Sequence, residues 1–195
     1  MAMIGFEIPE ATRKILQEIE VPDARPAQDH HITVLHLGDD IPIKVLAQAM
    51  VSLYEVASRT QPLTVQTSRI INFPQGNDGY PVVAEVTSPA LHTLWERICD
   101  CFDRAGIDYS RRFPRYRPHV TLAWSDRAVQ DLKIPEIRWG AHEVVVWGSN
   151  RGDGRVMIRI PLSISGSPTK TQIVRTIKAS RLADRFRAGD IVSAD

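Results

Sequence analysis

Apolar and polar positions alternate along parts of this chain and recur at helical spacing along others. Alternation at period two marks a strand, and apolar residues at i, i+3, i+4 and i+7 mark a helix with one buried face. Residues 3–8 read as a first strand ended by Pro9, and residues 10–20 as a helix with Ile15, Leu16 and Ile19 on one side. Residues 21–29 hold two prolines and read as a loop. Residues 30–37 are apolar and β-prone, and Gly38-Asp39-Asp40 stops them. Pro42 then opens a helix at the early position proline favours. Its buried stripe runs through Leu46, Met50, Leu53 and Ala57.

Residues 63–73 and 80–86 alternate on either side of Pro74-Gln75-Gly76-Asn77-Asp78-Gly79, which predicts a hairpin. Ser88-Pro89 reads as an N-cap followed by the first helical residue. Leu91, Leu94, Trp95, Ile98 and Phe102 give that helix its core face, and Gly106 ends it. Further strands are expected over residues 120–124, 134–139, 143–147 and 156–160, with a short helix over 126–132 and a turn over 150–154. Hairpins and helices mix without the regular alternation of a doubly wound sheet. The expected class is therefore α+β with largely antiparallel sheets. Ser165-Gly166-Ser167-Pro168 looks like a linker, and 171–187 like a basic amphipathic helix. The division expected is a domain at 1–164 and a basic extension at 165–195 that docks on it, with a nucleic-acid or partner arm as the alternative.

Composition narrows the classes. The chain is 43% hydrophobic with a net charge of +1, ordinary for a globular protein. The extension alone carries six Lys/Arg against three Asp/Glu. No apolar run reaches the roughly 20 residues of a membrane helix. The first residues lack the basic start and apolar core of a signal peptide, so a cytoplasmic monomer with no membrane partner is expected. Cys99 and Cys101, two apart on a helix, point in different directions and are expected to be reduced. There is no Gly-rich phosphate loop and no zinc-spaced Cys/His cluster, so neither a cofactor nor a metal is expected.

The chemistry lies in a repeat. His31-Ile32-Thr33-Val34 recurs 88 residues later as His119-Val120-Thr121-Leu122. In a strand, residues i and i+2 face the same way, so each histidine projects with its threonine. One His-x-Thr in a strand mostly reports a half-buried strand. Two copies at matching places in two halves suggest two imidazoles facing one cleft. An imidazole titrates near neutral pH, so one can take a proton while the other gives one. The threonine hydroxyls suit the oxygens of a phosphate whose charge must be stabilised in the transition state. The loop over 108–118 carries Arg111, Arg112, Arg115, Tyr116 and Arg117, candidates for gripping a nucleotide. Strict alternation puts His30, His36 and Trp124 on the opposite side from the motif histidines. His30 and His36 are then expected to face a helix or solvent, and Trp124 to pack as a core aromatic, with stacking on a base as its alternative. Phe73 and Tyr80 are expected to pack in the core, with stacking on a base as their alternative, and His92 and His142 to be structural.

These residues resemble the two-histidine (2H) phosphoesterase superfamily, which includes the LigT-like 2′-5′ RNA ligases and 2′,3′-cyclic phosphodiesterases. His31-Ile32-Thr33-Val34-Leu35-His36-Leu37-Gly38 is similar to its first motif, and Arg117-Pro118-His119-Val120-Thr121-Leu122-Ala123 to its second. Ile4-Gly5-Phe6-Glu7-Ile8-Pro9 resembles its first strand. The resemblance implies a bilobal, pseudo-twofold fold with a cleft between two antiparallel sheets. It implies His31, Thr33, His119 and Thr121 as a metal-free catalytic set. For hydrolysis of a 2′,3′-cyclic phosphate it implies His119 as base and His31 as acid. For cleavage of a linear RNA linkage it implies the reverse, and both directions stay open. One departure is that LigT-like members often carry Arg three residues after the second threonine, where this chain has Trp124. Arg115 or Arg117 is the candidate replacement for that charge. The expected activity is cleavage of an RNA or nucleotide phosphodiester: a 2′,3′-cyclic phosphate, a 2′-5′ linkage or a cyclic oligonucleotide. The alternative is a non-catalytic nucleotide-binding module that keeps the cleft.

Overall fold

The computed structural model describes residues 2–21, 24–27, 29–39, 41–112, 115–148 and 156–163. The extension at 165–195 and the turn at 150–154 lie outside them. The chain begins with β1 (Ala2–Glu7), α1 (Glu10–Gln17), β2 (Ala24–Pro26) and β3 (His31–Gly38). It continues through α2 (Ile43–Ser58), β4 (Leu63–Asn72), β5 (Tyr80–Thr87) and α3 (Pro89–Ala105). It closes with β6 (His119–Ser125), β7 (Leu132–Ala141), β8 (Glu143–Gly148) and β9 (Val156–Pro161). The α+β class is confirmed, and every strand pair is antiparallel.

The strands lie in the order β7-β4-β5-β6-β3-β1-β8-β9, with β2 also paired to β6. Each half of that order is a four-stranded lobe. The lobes meet where β3 lies beside β6, and the register there is the pair Ile32↔Val120. The two sheets implied by the resemblance are thus joined into one ladder, through β3 beside β6 and through β2 paired to β6. A pseudo-twofold relation follows from the order. β3 and β6 meet at the centre, flanked by β1 and β5, then β8 and β4, then β9 and β7. In each half, a helix (α1 or α3) follows the strand that flanks the central one.

One face of this sheet is the core. Ile32, Leu35, Val120 and Leu122 are buried there in one cluster with Met50 and Leu53 of α2 and Leu91, Leu94, Ile98 and Phe102 of α3. Burying side chains of this size contributes about 1.5–3 kcal/mol each. The free cysteines Cys99 and Cys101 are buried on α3, as expected. Pro42 and Pro9 stand at the helix starts and fix an extended entry into α2 and α1.

Three local readings change. Residues 126–132 are not a helix: β7 begins at Leu132. Long-range ties hold the segment open instead. The Val129 N–H donates to Asn72 Oδ1 at 2.6 Å, and Asp131 pairs with Arg69. The expected loop over 21–29 includes β2, which pairs Ala24–Pro26 with residues 123–125 of β6. Ser88 stands at the N-cap of α3 with Pro89 as the first helical residue, as expected, but its side chain makes no cap bond; its hydroxyl donates to the Thr64 carbonyl at 2.8 Å and so ties α3 to β4.

Candidate active site

Register decides which side chains share the open face. Glu7 pairs with His31, Gly5 with Thr33 and Met3 with His36. Residues 3, 5 and 7 alternate along β1, so His31, Thr33 and His36 all point the same way. The odd spacing from Thr33 to His36 arises because β3 carries an extra residue, a β-bulge, beside the Ile4/Gly5 step. The second lobe repeats this device. Glu85 pairs with His119, Val83 with Thr121 and Pro81 with Trp124, with a bulge beside the Val82/Val83 step. Burial agrees: His31, Thr33, His36, His119, Thr121 and Trp124 are half-buried, whereas the residues between them are buried. The expectation for His36 and Trp124 is therefore corrected. Each bulge rotates the strand by one residue and turns both side chains onto the motif face. His30 stays on the opposite face, buried beside Leu16 of α1.

At the seam Ile32 lies opposite Val120. Carried one residue either way, that register sets His31 across from Thr121 and Thr33 across from His119. Directly opposed side chains have Cβ atoms about 4.5–5.5 Å apart, and diagonal neighbours about 7–8 Å. By that register the four polar side chains share one face around the seam, a histidine and a threonine from each strand. A phosphate seated over it has a hydroxyl and an imidazole on each side.

Both imidazoles are held by backbone two residues upstream. His119 Nδ1 lies 2.7 Å from the Arg117 carbonyl. A carbonyl only accepts, so Nδ1 carries the proton and Nε2 is left with its lone pair. At His31 the Asp29 backbone favours the protonated ring. Burial pushes the pKa of both rings down from 6.5. Their other neighbours differ. The Asp29 carboxylate favours a proton on His31, whereas the Arg117 guanidinium disfavours one on His119. His119 also lowers His31, and His36 lowers both.

A family model described as the 2′-5′ RNA ligase superfamily matches residues 8–153. The chain belongs to that superfamily. The match bears out the resemblance seen in the two motifs and makes the protein a phosphoesterase-type enzyme. Two solved structures show the same fold. TT0787 of Thermus thermophilus superposes with a TM-score of 0.70 at 17% identity, over 85% of this chain and 99% of its own. E. coli LigT, crystallised with 3′-AMP, gives 0.58 at 18% identity, over 84% of this chain and 98% of its own. No curated protein sequence matches.

This superfamily member surrounds its two histidines with parts that strand parity alone does not reveal. The Trp147 ring lies 5.5 Å from His31, and the Phe73 ring 4.5 Å from His119, edge-on. The two aromatics hold equivalent places, each one strand beyond the residue that pairs with the third position of the motif face. Phe73 was expected in the core; it is half-buried and packs against the motif instead. Two acids also correspond. Glu7 beside His31 takes a two-pronged contact from Arg159 at 2.6 and 2.8 Å. Glu85 beside His119 has Arg117 at 3.9 Å, and that guanidinium lies over the Phe73 ring at 4.6 Å.

A cavity of about 660 Å³ opens at the His119 end, walled by Phe73, Glu85, Ser88, His92, Tyr116 and Arg117 among others. Tyr116 and Arg117 thus reach a cavity together. Tyr116 does so with its ring stacked on Trp95 at 5.7 Å, and its buried hydroxyl has no hydrogen-bond partner among the described residues. Arg115 is exposed on the loop and does not line this cavity. Arg111 lies over Tyr109 and pairs with Asp103 at 2.5 Å. Among the described residues, no group of three or more His, Cys, Asp or Glu is placed to hold a metal.

Proposed function

We propose that this protein hydrolyses 2′,3′-cyclic phosphate ends of RNA or nucleotides to 2′-phosphates, with His119 as general base and His31 as general acid. The observation that carries this reading is the seam, where Ile32↔Val120 brings both His–Thr pairs onto one face. The direction rests on the neighbours of each ring. His119 sits beside Arg117 with Nε2 free, which suits removal of a proton from water. His31 sits beside Asp29, which suits a ring that holds a proton and then gives it to the leaving 3′ oxygen. Burial lowers both rings alike; the charges beside them, a carboxylate at His31 and a guanidinium at His119, act in opposite senses and favour this division of acid and base work. Thr33 and Thr121 donate to the non-bridging oxygens as phosphorus becomes five-coordinate. The cavity walled by Phe73, Tyr116 and Arg117 takes the nucleobase, and Trp124 offers a stacking face at the other end. LigT crystallised with 3′-AMP is consistent with a nucleotide in a cleft of this fold.

The test is a substrate panel with chelator present: 2′,3′-cyclic nucleotides, a 2′-5′-linked dinucleotide and a cyclic oligonucleotide. The expected product is a 2′-phosphate from the cyclic nucleotides. Absence of turnover on all of them rejects the reading, and binding without turnover identifies a nucleotide-binding module instead. The pH profile follows from the shifts. The active form needs His31 charged and His119 neutral, and both pKa values lie below 6.5 in the free protein. As pH rises His31 loses its proton, and as pH falls His119 gains one. The bell in kcat/KM should therefore peak on the acid side of 6.5. A bound anion pulls both pKa values up, so the bell in kcat should lie higher. Its two limbs belong to the pair.

A further inference from the structure

We propose that His36 is a third substrate-contacting imidazole, bonded to a phosphate oxygen at the His119 end of the cleft; this rests on the phosphodiesterase reading above. Three observations place it there. Its register partner is Met3, so the bulge in β3 turns it onto the face that carries His31 and Thr33. It is half-buried in a strand whose intervening apolar residues are buried. β3 runs antiparallel to β6, so the stretch beyond Thr33 passes the N-terminal end of β6, where His119 begins the strand. The loop before β6 meets β3 here too, since Ser110 N–H donates to the His36 carbonyl at 2.8 Å.

The place is asymmetric in a chemically useful way. The pseudo-twofold counterpart of His36 is Trp124, which has no charge and no acceptor. One end of the cleft therefore offers a flat stacking surface, and the other a ring that both donates a hydrogen bond and can carry charge. A phosphodiester anion needs more donors than two threonine hydroxyls supply, because each non-bridging oxygen has several lone-pair directions. His36 adds an N–H without a fixed positive charge. A fixed charge would depress the neighbouring catalytic rings at every pH.

The groups that set its titration are few. Burial lowers its pKa and the Asp39 carboxylate raises it. Across β1 it faces uncharged Met3. His31 and His119 share its face and feel its charge. Arg117 precedes β6, and in the loop after α3 Arg111 is held by Asp103.

The probe is inorganic phosphate on the full chain. The imidazole C–H resonances of His31, His36 and His119 are followed by NMR, and each is assigned by its loss in a single variant. Phosphate is expected to move all three resonances with one dissociation constant and to raise all three pH midpoints. In His36→Phe, phosphate binding should weaken about tenfold, the scale of one charge-assisted hydrogen bond. The His31 and His119 midpoints should rise without phosphate, because a neighbouring like charge has gone. His36→Gln keeps a donor and should retain more of the binding while showing the same midpoint rise. A merely structural histidine would change the melting temperature and leave both midpoints in place. If phosphate moves His31 and His119 but not His36, this inference is overturned and the phosphodiesterase reading stands. If it moves none of them, this inference falls, and the substrate panel alone decides the phosphodiesterase reading. The wild-type titration decides the point even if a variant does not fold.

Discussion

Replacing His31 or His119 with alanine will cut turnover of the cyclic phosphodiester by about 10²–10⁴, the range of a positioned proton donor or acceptor. The loss should appear in kcat more than in KM, because proton transfer occurs only in the transition state. The double variant should fall little further than either single one, since acid and base act as a unit. Neither change should unfold the protein. Both rings are half-buried on the open face, so alanine there leaves space open to the cleft and not a closed cavity. Melting curves check that point. Turnover within tenfold of wild type in either single variant would remove that histidine from the mechanism.

Gly5→Ala will damage the site from beneath. A Cβ at Gly5 would lie 2.1 Å from the Ile32 carbonyl oxygen and 3.0 Å from the Trp147 ring. The first contact is with backbone, which cannot swing aside. Ile32 is the first-lobe residue of the seam, and Trp147 is the aromatic against His31. Overpacking of this kind costs at least about 2 kcal/mol, or about 4–8 °C of Tm in a domain of this size. Activity should fall more than stability explains, because Thr33 sits opposite Gly5. Gly76→Ala is the control: its added Cβ meets nothing nearer than 3.8 Å, and Tm should stay within about 2 °C. A Gly5→Ala protein with wild-type Tm and turnover would show that the β1–β3 approach is not tight.

Much of this was legible because the long elements have strong periodicity. The α2 and α3 stripes, the β4–β5 hairpin and both motif strands could be read from spacing alone. The bulges could not be read as bulges, yet they left a trace. Val34-Leu35 and Leu122-Ala123 are paired apolar residues in strands that otherwise alternate, and each pair marks the place where parity slips. Reading those pairs as part of a uniform strand put His36 and Trp124 on the wrong side. The flanking parts were illegible for another reason. Glu7, Glu85, Phe73 and Trp147 come beside the histidines only through cross-strand register, which no local spacing encodes. β2 was hidden by its length of three residues and its closing proline. The expected helix after β6 lost to the ties from Asn72 and Arg69, a case of tertiary contacts overriding local preference.

The join of β3 and β2 against β6 has a consequence for how activity is built. The proposed acid belongs to one half of the ladder and the proposed base to the other, and each half keeps its own hydrogen-bonded scaffold. Either half alone would lack the other's proposed acid or base and could not complete the reaction. Competence is thus a property of mating, and a tilt at the join would strain the β2–β6 ladder along with the β3–β6 pair.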